Sequence, residues 1–157
     1  MTRGGVLADL RARFAGDIVA FQERSARRVY IEIRPASIRT VAGFLFRDLG
    51  ARFNIASGVD GRRHVEILYH FTLEDINLLI SLRVRLPKPD PEVESLTPLF
   101  EAANWVEREL HELLGIGFTG HPDLRRLLLP EEWPRGVYPL RRDYQEWDPT
   151  ALRDRGV

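Results

Sequence analysis

The sequence predicts a single α+β domain with a mixed or mainly antiparallel sheet of about five strands, helices packed on one face, and an extended C-terminal arm. Three observations carry this. Several short segments alternate apolar and polar residues with period two, and the clearest is Leu78, Ile80, Leu82, Val84 and Leu86. Between and after them lie stripes at helical spacing. Beyond Gly115 the prolines Pro122, Pro130, Pro134, Pro139 and Pro149 interrupt every regular element.

Val6, Leu7, Leu10 and Phe14 predict a short amphipathic helix. Strands follow at 17–21 and 29–33, the second alternating Val29, Ile31 and Ile33 with Tyr30 and Glu32 and ending at Pro35. Ile38, Val41, Ala42, Leu45 and Leu49 form a helical stripe that Gly50 stops. A strand over 52–57 is expected to turn at 58–61 into another carrying Val65, Ile67, Tyr69 and Phe71 on one face and His64, Glu66, Leu68 and His70 on the other. In the strand that ends at Leu86, Asn77, Ser81, Arg83 and Arg85 occupy a second face, either wet or covered by something else. Pro87, Pro89 and Pro91 end the sheet. Thr97 and Pro98 read as cap and first residue of a helix with the stripe Leu99, Ala103, Val106, Leu110 and Leu113, ended by Gly115. Residues 1–117 are expected to form the domain and 118–157 the docking arm. The arm is rich in leucine and aromatic residues that must be buried somewhere, either against its own domain or, the favoured expectation, on a partner protein.

A chain of 157 residues with 44% hydrophobic and 29% charged residues fits one globular core. No apolar run approaches the roughly 20 residues that cross a bilayer, and residues 1–10 lack the apolar core of an export signal. There is no cysteine, which excludes disulfides, thiolate catalysis and iron–sulfur ligation by cysteine. Basic and acidic residues balance at 23 each, so nucleic acid is not an expected partner. Lys88 is the sole lysine among the basic residues.

The stretch His111-Glu112-Leu113-Leu114-Gly115 opens like a zinc-protease helix. That chemistry needs a second histidine one turn later, and position 115 is glycine. His64 and His70, six residues apart on a strand, would stand roughly 20 Å apart, too far for one ion. Neither metal nor cofactor is expected. Glu107, Glu109 and Glu112 could serve acid–base work, but helix charges opposite an apolar stripe ordinarily form a solvated face. Glu107, Arg108, Glu109, Glu112, His121, Asp123, Arg125 and Arg126 crowd around one helix end. Such a cluster can fold back on itself or clamp a partner through arginine–carboxylate forks, one of Arg125 and Arg126 closing on Glu107, Glu109 or Glu112 and the other reaching an acid of the partner.

The runs Asn104-Trp105-Val106-Glu107-Arg108-Glu109, Leu114-Gly115-Ile116, Phe118 and Gly120-His121-Pro122-Asp123-Leu124-Arg125-Arg126, then Tyr138-Pro139-Leu140-Arg141-Arg142-Asp143-Tyr144, resemble the C-subunit family of respiratory complex I, NADH–quinone oxidoreductase. The resemblance covers residues 25–145. The family also includes small subunits of membrane-bound, energy-converting nickel–iron hydrogenases and formate hydrogenlyases. Leu128-Leu129-Pro130-Glu131-Glu132-Trp133-Pro134 and Gly136-Val137-Tyr138 resemble that hydrogenase branch more closely.

The resemblance implies a non-catalytic subunit without a cofactor, peripheral on the cytoplasmic side of the cell membrane. Its implied partners are the large catalytic subunit with a nickel–iron or quinone site, the small iron–sulfur subunit, and indirectly the membrane arm. It adds Gly115, Pro122, Trp133, Tyr138, Arg141, Arg142 and Asp143 to the interface residues. The equivalent subunit of complex I proper is the first alternative. A free-standing hydrolase using His111 and Glu112 is the remote one.

Overall fold

A computed structural model describes residues 1–145. Thr2 caps α1 (Arg3–Arg13), its hydroxyl accepting the Gly5 N–H at 3.2 Å, and Val6, Leu7 and Leu10 are buried. The strands β1 (Ile18–Ser25) and β2 (Arg28–Ile33) form an antiparallel hairpin. A 3₁₀ turn at Pro35–Ser37 leads into α2 (Ile38–Gly43), and a π turn at Phe44–Asp48 continues it. The 38–49 stripe is therefore one apolar face carried by two kinds of helical turn, α and π. Then come β3 (Arg52–Asp60), β4 (His64–Leu73) and β5 (Leu78–Pro87).

The sheet order is β1-β2-β5-β4-β3, with β2 and β5 parallel and the other pairs antiparallel. It is the five-stranded mixed sheet that the alternation predicts. Register aligns the apolar set across strands: Val29 with Ile80, Ile31 with Leu82, Tyr69 with Leu82, Ile67 with Val84. That face and the helices make one core. On the opposite face Arg83 and Arg85 lie between Glu32 and Glu66 at 3.2–3.7 Å.

Several expectations need correction. The 58–61 turn starts three residues later, because Gly58 is a strand residue paired with Ile67 on the core face. Its missing side chain is what lets the helix above sit down: a Cβ there would lie 2.3 Å from Leu114 Cδ1 and 2.7 Å from Leu110 Cδ2. Asn77 is not in the strand but in the left-handed region at φ 48°, closing a 3₁₀ turn at Glu74–Ile76. Two three-residue strands, β6 (Glu92–Glu94) and β7 (Gly117–Thr119), pair in parallel outside the main sheet and were too short to show a period. The last helix, α3 (Asn104–Leu114), does not start at Thr97-Pro98 but follows a 3₁₀ turn at Glu101–Ala103. Gly115 ends it at φ 71° in the left-handed region, as its position predicts.

Gly58→Ala is expected to lower stability by ~1–3 kcal/mol, since the two leucines it meets are themselves buried and must shift. Gly4→Ala, in α1 with open space around it, is expected to raise stability by up to ~1 kcal/mol. Thermal unfolding of both variants checks the contrast. Equal effects would show that α3 has room to move.

Candidate functional site

The site is α3 and what lies on either side of it. Ala103, Glu107, Leu110 and Leu114 turn inward and are buried. Glu107 stands in phase with the apolar stripe, wholly buried rather than solvated. Its carboxylate accepts from the Ser95 hydroxyl at 2.5 Å, the Thr97 hydroxyl at 2.8 Å and the Leu96 N–H at 2.6 Å. Thr97 thus serves Glu107 instead of capping a helix. The proline-rich connection 87–98 supplies all three donors. His121 Nε2 stands 3.8 Å from the same carboxylate. Burial pushes the Glu107 carboxyl above its ordinary 4.5, against the opposing pull of these bonds. The buried Tyr69 phenol, held protonated by burial and by the Glu107 charge, has no hydrogen-bond partner among the described residues.

A second face of α3 carries Asn104, Arg108 and Glu112, one turn apart each, and clasps the arm. His121 Nδ1 accepts the Asp123 N–H at 2.9 Å, which leaves Nε2 to donate to the Asn104 carbonyl at 3.3 Å. Arg108 donates to the Arg125 and Arg126 carbonyls at 3.0 and 2.7 Å. Glu112 accepts the N–H groups of Leu127, Leu128 and Leu129 at 3.1, 2.6 and 3.3 Å. Past the helix, the Tyr138 ring packs so closely on Gly115 that a Cβ there would lie 2.5 Å from it. Arg141 donates to the Leu114 carbonyl and Leu140 N–H to Leu113 at 3.0 Å.

Asp60, at the end of β3, makes the last tie. It accepts the Arg142 N–H at 2.8 Å and pairs with Lys88 at 2.5 Å. Burial pushes its carboxyl up, but the bonds from Arg142 and Lys88 outweigh that and hold it below 3.8. The lone lysine among so many arginines was the one sequence signal for this hub.

The expected closure of Arg125 or Arg126 on an acid of the helix is absent among the described residues. Arg125 pairs at the surface with Asp123 at 3.0 Å, and Arg126 donates to the Pro130 and Trp133 carbonyls. Neither reaches Glu107, Glu109 or Glu112, because Glu107 lies beneath the helix and Glu112 is filled by backbone N–H groups. Glu109 is half-buried without a partner among the described residues, and Pro122 and Asp143 are exposed. Trp133 stacks with Tyr144 at 6.2 Å and donates to the Val137 carbonyl at 2.8 Å. His111 and Glu112 do not act together: the His111 ring meets the Ile116 carbonyl at 2.7 Å while Glu112 holds the arm. No group of three or more His, Cys, Asp or Glu among the described residues is placed to hold a metal ion.

Polar groups that close on the chain's own backbone define a scaffold-type α+β domain whose centre positions its C-terminal segment. The family described as respiratory-chain NADH dehydrogenase, 30 Kd subunit, matches residues 31–149, and the chain belongs to it. It is 44% identical to the C-subunit of F(420)H(2) dehydrogenase from Methanosarcina mazei over 62% of this chain and 63% of that protein. It is 41% identical to the C-subunit of NADH-quinone oxidoreductase from Roseiflexus over 88% and 81%. With formate hydrogenlyase subunit 5 of Escherichia coli it shares 31% over 90% of this chain, which spans 26% of that protein. The fold is that of a chain in the membrane-bound sulfane sulfur reductase, an archaeal respiratory membrane complex, with TM-score 0.77, 19% identity, and coverage of 98% and 91%. It is also that of a trypsin-resistant fragment of Nqo5, with TM-score 0.63, 22% identity, and coverage of 77% and 98%.

Because Glu107 titrates higher in the folded chain than in the unfolded one, its contribution is fully present below 4.5 and is lost as pH rises through the raised value. The stability difference between wild type and Glu107→Gln should therefore change as pH rises from 4.5 and level off above that value. Glu107→Ala should cost about 3 kcal/mol or more, since orphaned buried donors cost ~1–3 kcal/mol each. Chemical denaturation across pH measures both. A pH-independent difference would mean that the carboxyl titrates normally.

Proposed function

We propose that the chain is the assembly subunit of the cytoplasmic arm of a membrane-bound, energy-converting nickel–iron hydrogenase complex. It docks against the large catalytic subunit, close to the small iron–sulfur subunit, and meets the membrane arm only indirectly. Members of the C-subunit family are non-catalytic parts of oxidoreductase complexes. Among the described residues no helix is long and apolar enough to cross a membrane, which suits a peripheral place.

The observation that carries the reading is family membership across residues 31–149. The hydrogenase branch draws support from similarity to formate hydrogenlyase subunit 5 across 90% of the chain. A second reading, the equivalent subunit of NADH–quinone oxidoreductase, is favoured by the 41% identity to the Roseiflexus protein over 88% of the chain.

The docking surface is the outward side of α3 and the arm. Glu109, Pro122, Asp123, Arg125, Trp133, Arg142 and Asp143 present it. Glu107, Arg108, Glu112, Gly115, His121, Arg126, Tyr138 and Arg141 shape it from within. Trp105, 69% exposed, stands on the same helix and adds apolar area.

Purification of the tagged chain from its native membranes tests this. The expected result is a stoichiometric large subunit and a small iron–sulfur subunit, with nickel in the assembly. The same assembly without nickel, joined by subunits that oxidise a nicotinamide, would favour the second reading. A chain recovered without any oxidoreductase partner would sink both.

A further inference from the structure

A cleft of about 370 Å³ opens between the C-terminal half of α3 and the 124–138 stretch of the arm. Arg125, Arg126, Arg135 and His111 line it, and Glu112 is the one acid among the lining residues. Glu112 forms no ion pair with these arginines; its oxygens accept three backbone N–H groups instead. Among the described residues Arg126 donates to the neutral carbonyls of Pro130 and Trp133 and pairs with no acid. Arg125 has 76% of its side chain exposed, and among the described residues its guanidinium pairs only with Asp123, itself half in solvent. Arg135 is exposed and has no partner among the described residues. Leu124, Leu129 and Val137 complete the walls, and apolar walls concentrate the field of the arginines.

We propose that this cleft seats a carboxylate-bearing segment of a neighbouring subunit, with Arg135 and Arg125 as its guanidinium forks. The proposal rests on the assembly reading and adds the chemistry of the partner. Two forks facing one opening match the geometry of a carboxylate better than lysines would. The volume sits at the small end of the roughly 300–1,000 Å³ range of ligand pockets, room for a side chain and its flanking backbone. Leu128, beside Leu129 and 61% exposed, offers an apolar contact next to the charges. An extended polyanion is a poorer match, because basic and acidic residues balance at 23 each over the chain. Arg135 lies outside the motifs that identify the family, so nothing in the sequence pattern singled it out.

The test compares the full chain purified alone with the assembly purified from native membranes. Phenylglyoxal modification of arginines, mapped by mass spectrometry, is expected to label Arg135 in the isolated chain and to spare it in the assembly. Arg135→Glu is expected to cut recovery of the assembly at least tenfold without shifting the thermal midpoint of the isolated chain. Arg135→Lys should restore part of the recovery, and Arg27→Glu, in the β1–β2 turn, should cause none of the loss.

Equal labelling of Arg135 in both states, or wild-type recovery with Arg135→Glu, overturns the proposal while leaving the assembly reading standing. Protection of Arg135 by inorganic phosphate in the isolated chain, together with unimpaired assembly of Arg135→Glu, identifies a small-anion site and likewise overturns it. A wild-type chain recovered alone overturns the assembly reading and this proposal with it.

Discussion

Glu112 accepts three successive backbone N–H groups, those of Leu127, Leu128 and Leu129. A proline-broken segment cannot satisfy its own amides by helix or ladder, and a carboxylate with about four acceptor positions is a compact substitute. The bond set does two things at once. It fixes the backbone of the arm against α3, and it removes the acid from competition for the arginines beside it. The cationic cleft and the outward leucines exist because that one side chain faces the backbone. A glutamine here would keep the shape, but with one oxygen and no charge it could not hold three donors equally well.

The clasp needs a helix that does not move, and the inner face of α3 supplies this. Glu107 ties the helix to Ser95, Leu96 and Thr97, while Gly58 lets Leu110 and Leu114 sit directly on β3. Burying the carboxylate is costly, and that burial pushes its pKa upward. In return the connection after β5 is locked to α3 without regular structure of its own. Asp60 repeats the device at the far end, holding Arg142 N–H and Lys88 together. So the helix presents one carboxylate to the domain and another to the arm, five residues apart on adjacent faces.

The main sheet was legible because β4 and β5 alternate cleanly and bury one face. The end of α3 was legible because Gly115 occupies the left-handed position that glycine favours. The burial of Glu107 was not, although a signal existed: it stands in phase with Ala103, Leu110 and Leu114. Acids in a helix are ordinarily on the wet side, and the donors that reverse the rule lie in a stretch with no periodicity. The Arg125 and Arg126 contacts were misjudged for a related reason. Side-chain chemistry suggests arginine–acid forks, but backbone N–H groups, invisible in a sequence, reached Glu112 first. The arm was expected chiefly to take its order from a partner; the structure ties its inner side to its own domain and, among the described residues, leaves its outer side open.

Amide hydrogen exchange of the isolated chain tests that account most directly. The N–H groups of Leu127, Leu128, Leu129 and Arg142 should exchange slowly, though faster than those of β5. In Glu112→Gln the three leucine amides should lose most of their protection while β5 keeps its own. Rapid exchange of these amides in the wild-type chain, or protection that survives Glu112→Gln unchanged, would contradict the claim that this carboxylate holds the arm.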